Sequence, residues 1–71
     1  MEAKVTNRIA VILDIKGWTQ TKLAELSGLD DAQLSRIING RTPELKTAFK
    51  ICQALEMPIE KVFTVENGNA A

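Results

Sequence analysis

The stretch TQTKLAELSGLDDAQLSRIING, Thr19 to Gly40, reads as two short helices joined by the three-residue turn Ser27-Gly28-Leu29. Thr19 is a good N-cap, because its hydroxyl can accept from a free amide two or three residues on. Leu23, Ala24 and Leu26 are the apolar positions of the first helix, and the small Ala24 lets a second helix cross closely. Gly28 marks the stop, since glycine takes the left-handed conformation without steric cost, and Leu29 can plug the corner. The second helix starts at Asp30, an N-cap whose partner three residues later is Gln33, a capping-box spacing, with Asp31 in the positive first turn. Leu34 and Ile37 face inward. Asp31, Ala32, Gln33, Ser35 and Arg36 face outward, a short polar surface of the kind that can meet base edges. Asn39-Gly40 ends the helix.

Upstream, residues 1 to 3 read as frayed. Val5, Ile9, Ile12 and Leu13 then recur at helical spacing and predict an amphipathic helix that ends before Gly17, its apolar face widened by Val11 and Ile15. Gly17 is a candidate C-terminal cap and Trp18 a bulky cover for the core. Downstream, Thr42-Pro43 predicts a fourth helix with Thr42 as N-cap and Pro43 at the first helical position, carrying an apolar stripe of Leu45, Ala48, Phe49, Cys52 and Leu55. Met57-Pro58 breaks it and starts a fifth helix with Ile59, Val62 and Phe63. The sum is an all-α fold of five short helices in a single domain over residues 1–71, its helical core about 5–63 and a polar tail from about residue 66. An alternative for Phe63-Thr64-Val65 is a short strand that pairs with a partner subunit.

With 71 residues there is room for one small core and little else. No apolar run approaches the roughly 18 residues of a bilayer span, and the stretch Ile9 to Ile15 is too short and too interrupted by Asp14 for a signal peptide, so a cytoplasmic protein is expected. One cysteine and no histidine exclude an internal disulfide and a zinc constellation. They also leave Ser35 and Cys52 without a base to activate them, so no catalytic residues are assigned and no enzyme is expected. The formal net charge is zero, which by itself does not favour a nucleic-acid partner. The distribution matters more, with Arg8, Arg36 and Arg41 set against Glu56, Glu60 and Glu66.

The pattern TQxxLAxxSGLxxxxLSRIxNG resembles the helix-turn-helix of the Cro/C1-type, lambda-repressor-like DNA-binding domains (the XRE family). The similarity continues through the loop and helix of Arg41 to Leu55 and the short fifth helix Ile59 to Phe63, most of the chain. The resemblance implies a transcriptional regulator that binds double-stranded DNA sequence-specifically, with the helix from Asp30 to Asn39 in the major groove. Asp31, Ala32, Gln33 and Arg36 would then meet bases. An arginine can bind guanine bidentately and a carboxylate can accept from cytosine, while Gln33 has a competing role in the cap. Gln20, Asn39, Arg41 and Thr42 would meet phosphates, Gln20 being the glutamine that also braces the recognition helix. Asp30 and Asp31 depart from the family pattern, because two carboxylates at the groove-facing end repel phosphate. One domain reads few base pairs, so a homodimer on half-sites about 34 Å apart, or a multiple, is expected. Ile59, Val62, Phe63 and Val65 are its candidate interface. No cofactor, metal, membrane or small-molecule effector is implied. The rival reading is a protein-binding module, an antitoxin or adaptor that keeps the fold; zero net charge and the Asp30-Asp31 pair favour it.

Overall fold

The computed structural model describes residues 3–67. Five helices follow in order: α1 (Ile9–Lys16), α2 (Gln20–Ser27), α3 (Asp31–Ile38), α4 (Leu45–Leu55) and α5 (Ile59–Val62). The fold is the five-helix arrangement expected, with one addition. A strand at each end, β1 (Ala3–Asn7) and β2 (Phe63–Asn67), pair with each other as an antiparallel ribbon in which Val5 faces Val65 and Thr6 faces Thr64.

This ribbon corrects both ends of the sequence reading. Val5 belongs to β1 and not to α1, which begins only at Ile9. The switch occurs at Asn7, whose side-chain oxygen accepts from the Ile9 amide (3.1 Å) and so satisfies one of the free amides of the first turn, while Arg8 holds the N-cap position without a side-chain bond. Thr64-Val65 does extend as a strand, but its partner is the chain's own N-terminus. Two pairs of β-branched residues meet across the ladder, the pairing that stabilises a sheet most readily. Glu66 and Asn67, expected in the tail, lie in β2. Of the segments expected to be frayed or flexible, Met1, Glu2 and residues 68–71 lie outside the described residues.

Three of the helices end in the same way, on one residue in the left-handed conformation followed by a backbone bond that reaches back five residues. At α1 this residue is Gly17 (φ 70°) and Trp18 donates to the Leu13 carbonyl; at α2 it is Gly28 (φ 74°) and Leu29 donates to the Ala24 carbonyl, each bond 2.9 Å. At α4 the same turn is built with Glu56 (φ 57°), and Met57 donates to the Cys52 carbonyl (3.0 Å). The two glycines follow from the preference of that conformation for a residue without Cβ. Glu56 carries a cost of roughly 1–2 kcal/mol there, and that turn is not legible in the sequence.

The core is formed by Ile9, Ile12, Leu13, Leu23, Ala24, Leu34, Ile37, Ala48, Ile51, Cys52, Leu55, Val62 and Phe63. α2 packs on both α3 and α4, and α5 on both α4 and β2. Trp18 and Leu29 cover the core as expected, and the ammonium groups of Lys16 and Lys22 lie 5.0 and 4.7 Å from the Trp18 ring centroid, in cation–π range. Several expected core positions are in fact exposed: Val11, Ile15, Leu26, Leu45 and Phe49. Each helix buries only one stripe against this small core, so the apolar residues on its margins remain in solvent. α4 starts at Leu45 rather than at Pro43, because Glu44 is extended (ψ 156°) and occupies the N-cap position without a side-chain bond. Residues 41–44 are thereby free to run as an extended link between α3 and α4. Among the described residues no helix is long and apolar enough to cross a membrane.

Candidate nucleic-acid interface

α2, the turn at Gly28 and α3 form the pair of crossed helices that the sequence predicts. Thr19 caps α2 by accepting from the Lys22 amide (3.1 Å). Ser27, buried at the other end, donates to the Leu23 carbonyl (2.7 Å) and so brings no unmet polar group into the core. Ala24 is buried in the crossing and Leu34 and Ile37 anchor α3 from beneath.

The start of α3 is held differently from the expected capping box. Asp30 makes no side-chain cap bond, and its backbone carbonyl accepts the first helical bond, from Leu34 (2.9 Å). The bracing comes from α2: Gln20 Nε2 donates to the Asp31 carbonyl (3.2 Å), and Thr21 Oγ1 lies 3.5 Å from a carboxylate oxygen of Asp31, the outer limit for a hydrogen bond. Gln33 is consequently free of a cap role and exposed. The Asp31 carboxylate is exposed, and among the described residues Thr21 is its one side-chain neighbour within hydrogen-bond reach.

The other end of α3 is closed by Asn39, whose side chain donates to the Ser35 carbonyl (2.9 Å), and by Asn7, whose side chain donates to the Ile37 carbonyl (2.9 Å). Arg41 continues the chain with its amide on the Arg36 carbonyl (2.9 Å). Ile38 is half-buried and packs against the core.

Ala32, Gln33 and Arg36 of α3 share one concavity of about 470 Å³ with Arg41 and Thr42 of the following link, and Asp30 and Glu44 also line it. Two cations and two carboxylates therefore line a single surface, and Arg36, Arg41, Gln33, Ala32 and Thr42 are all exposed on it. Gln20 and Asp31 lie together at the start of α3, and Asn39 stands exposed just past its end.

The expected interface residues separate into two groups. Val62 lies in the core of the single chain with no exposed surface, so its side chain is not available to a partner; Phe63, drawn in because α5 passes into β2 without a loop, is mostly buried but keeps an edge on the surface. Ile59 is half-buried and Val65 is 63% exposed. With Phe63 these two line an apolar groove of about 500 Å³, together with Val5, Pro43, Leu45 and Ala48. Val5 and Leu45 were missed as surface residues because both fit an inward helical stripe. Among the described residues no group of His, Cys, Asp and Glu is placed to hold a metal ion.

The family model described as helix-turn-helix matches residues 9–62. Among solved structures, the chain is similar to a crystal structure from Bacteroides fragilis of a protein to which DNA binding is ascribed. The two share 28% identity, with a TM-score of 0.73 and 84% of this chain and 98% of that one covered. A comparison with the curated proteins finds no match.

Proposed function

The chain belongs to the helix-turn-helix family, and from that membership we propose that it is a cytoplasmic transcriptional regulator of the Cro/C1 type that binds duplex DNA sequence-specifically as a homodimer. The observation that carries the reading is the shared concavity: Ala32, Gln33 and Arg36, assigned to bases, line one continuous surface with Arg41 and Thr42, assigned to phosphates. α3 enters the major groove, where Arg36 binds a guanine edge and Gln33, with no cap bond to make, is available to a second base. Gln20 braces the backbone of Asp31, and Thr21 Oγ1 reaches its exposed carboxylate only at 3.5 Å, so that charge stays at the leading edge of α3. Gln20, Asn39, Arg41 and Thr42 fix the register on the backbone.

The dimer forms across the apolar groove, with Ile59, Val65 and the edge of Phe63 from the expected set and with Leu45 beside them. Pro43 lines both this groove and the concavity, so the groove adjoins the reading surface, as an interface between two half-sites must. Val65→Lys and Leu45→Lys, both at exposed positions, are expected to leave the fold intact and yield a monomer in sedimentation with weakened operator binding.

Selection of bound duplexes from a random pool tests the reading, because it reports specificity, half-site spacing and symmetry together. In a salt titration Arg36→Ala should relax preference at one base pair by about 1–3 kcal/mol. Arg41→Ala should weaken all duplexes alike and reduce the salt slope by about 1. No binding to any duplex at about 50 mM salt, conditions that favour phosphate contacts, would overturn it. The zero net charge and the carboxylates of Asp30 and Glu44 beside Arg36 and Arg41 favour the second reading, a protein-binding module, which that result would leave standing.

A further inference from the structure

Asn7 is the last residue of β1, and its side chain makes two bonds of opposite sense. Oδ1 accepts from the Ile9 amide (3.1 Å) and Nδ2 donates to the Ile37 carbonyl (2.9 Å). Because one partner is an N–H and the other a carbonyl, only one orientation of the amide satisfies both. One bond satisfies a free amide in the first turn of α1. The other crosses 30 residues of sequence to the last turn of α3, and it is sheltered, since Asn7 is half-buried and Ile37 is buried.

The Ile37 carbonyl also accepts from the Gly40 amide (3.0 Å), so it is held from two directions. It lies one residue after Arg36, the proposed base contact, and four before Arg41, the proposed phosphate contact. The foot of the ribbon is fixed in turn, because the Arg8 amide donates to the Val62 carbonyl (2.9 Å) and Asn7 pairs with Phe63 in the ladder. The ribbon, α5 and the end of α3 are thereby joined through one side chain. We infer that Asn7 is a positioning residue for DNA recognition: its Nδ2 sets the angle at which α3 and the link after it leave the body of the domain. Asn7 does not touch DNA, and the inference rests on the DNA-binding reading above.

The two roles of Asn7 separate by atom. Asn7→Asp and Asn7→Ser each keep an oxygen that can accept from the Ile9 amide, but the carboxylate at neutral pH has no proton to donate and the serine side chain is too short to reach Ile37. The measurement is affinity for a selected duplex and for a random one, with thermal melting of each variant as control. Both variants should fold, and both should lose selectivity, the ratio of the two affinities falling roughly tenfold, the scale of one sheltered hydrogen bond. Amide exchange at Asn39, Gly40 and Arg41 should accelerate in both while exchange in α1 holds. A purely structural role would lower the melting temperature and leave selectivity unchanged, and that outcome overturns the inference. So does failure of both variants to fold, which would make the bond a requirement of the fold. A wild-type protein that binds no duplex overturns the DNA-binding reading itself, whereas a selective wild type with equally selective variants overturns only the role of Asn7.

Discussion

The two ends of α3 are held by different means. At its start the partners are close in sequence and open to water: Gln20 and Thr21 reach Asp31 through exposed bonds of 3.2 and 3.5 Å. At its end a local, exposed bond from Asn39 to the Ser35 carbonyl (2.9 Å) is joined by a part-buried one from Asn7, far away in the chain, to the Ile37 carbonyl (2.9 Å). Exposed bonds trade with water at little net gain, while a sheltered one costs its full desolvation when broken. Leu34 and Ile37 pack the middle and back of the recognition helix, and the back alone adds a long-range polar contact.

The largest expected effect is on the packing beneath α3. Leu34→Ala, at a fully buried position, should cost about 2–5 kcal/mol in denaturant unfolding, enough to unfold much of a domain this size. A loss below 1 kcal/mol would show that α3 is not held by its inward face. Gly28→Ala tests the turn that aims the front end. A Cβ there meets nothing within 4 Å, so the penalty should be that of the backbone alone, roughly 1–2 kcal/mol; a larger one would reveal crowding between α2 and α3. Gln20→Ala should cost under about 1 kcal/mol of stability, as an exposed bond does, and should reduce affinity for all duplexes. If it instead destabilised the fold as much as Leu34→Ala, the contrast between the two ends of α3 would fail. Smallest is Glu56→Gly at the end of α4, remote from both. It should stabilise by about 0.5–1 kcal/mol, the left-handed strain relieved less the entropy glycine gains when unfolded.

Cys52 supplies a check through pH. Burial, and secondarily the charge of Glu60, raise its thiol above the ordinary value of 9.0. The unfolded chain therefore releases this proton first as the pH climbs, so the native state binds more protons and stability falls with rising pH. Melting curves should hold steady below about pH 9 and decline above it, and Cys52→Ala should remove that part of the decline.

Legibility followed the distance over which each feature is built. Thr19, Gly28, Leu34 and Ile37 announce two helices and a turn because caps and apolar spacing act within a few residues. The turn at Glu56 was hidden because a residue with a Cβ stands where glycine is usual. The ribbon was half legible: Thr64-Val65 suggested a strand, but Val5 fitted a helical period as well as an alternating one, and nothing local tells the chain which partner it will find. At the candidate site the outward positions of α3 could be listed from the period alone. That Gln33 is released from capping and Asp31 bonded from α2 could not, since each depends on where Gln20 and Thr21 arrive.

The sequence by itself determined five helices, their order and the helix-turn-helix at Thr19 to Gly40, because these depend on short-range caps and on the 3.6-residue period. Only the tertiary structure decided that β1 and β2 pair as a ribbon, that Val62 is core rather than interface, and that Asn7 bonds the end of α3. Those are contacts between residues 30 to 64 positions apart, and their free energy exists only once the intervening helices have packed and brought the segments together.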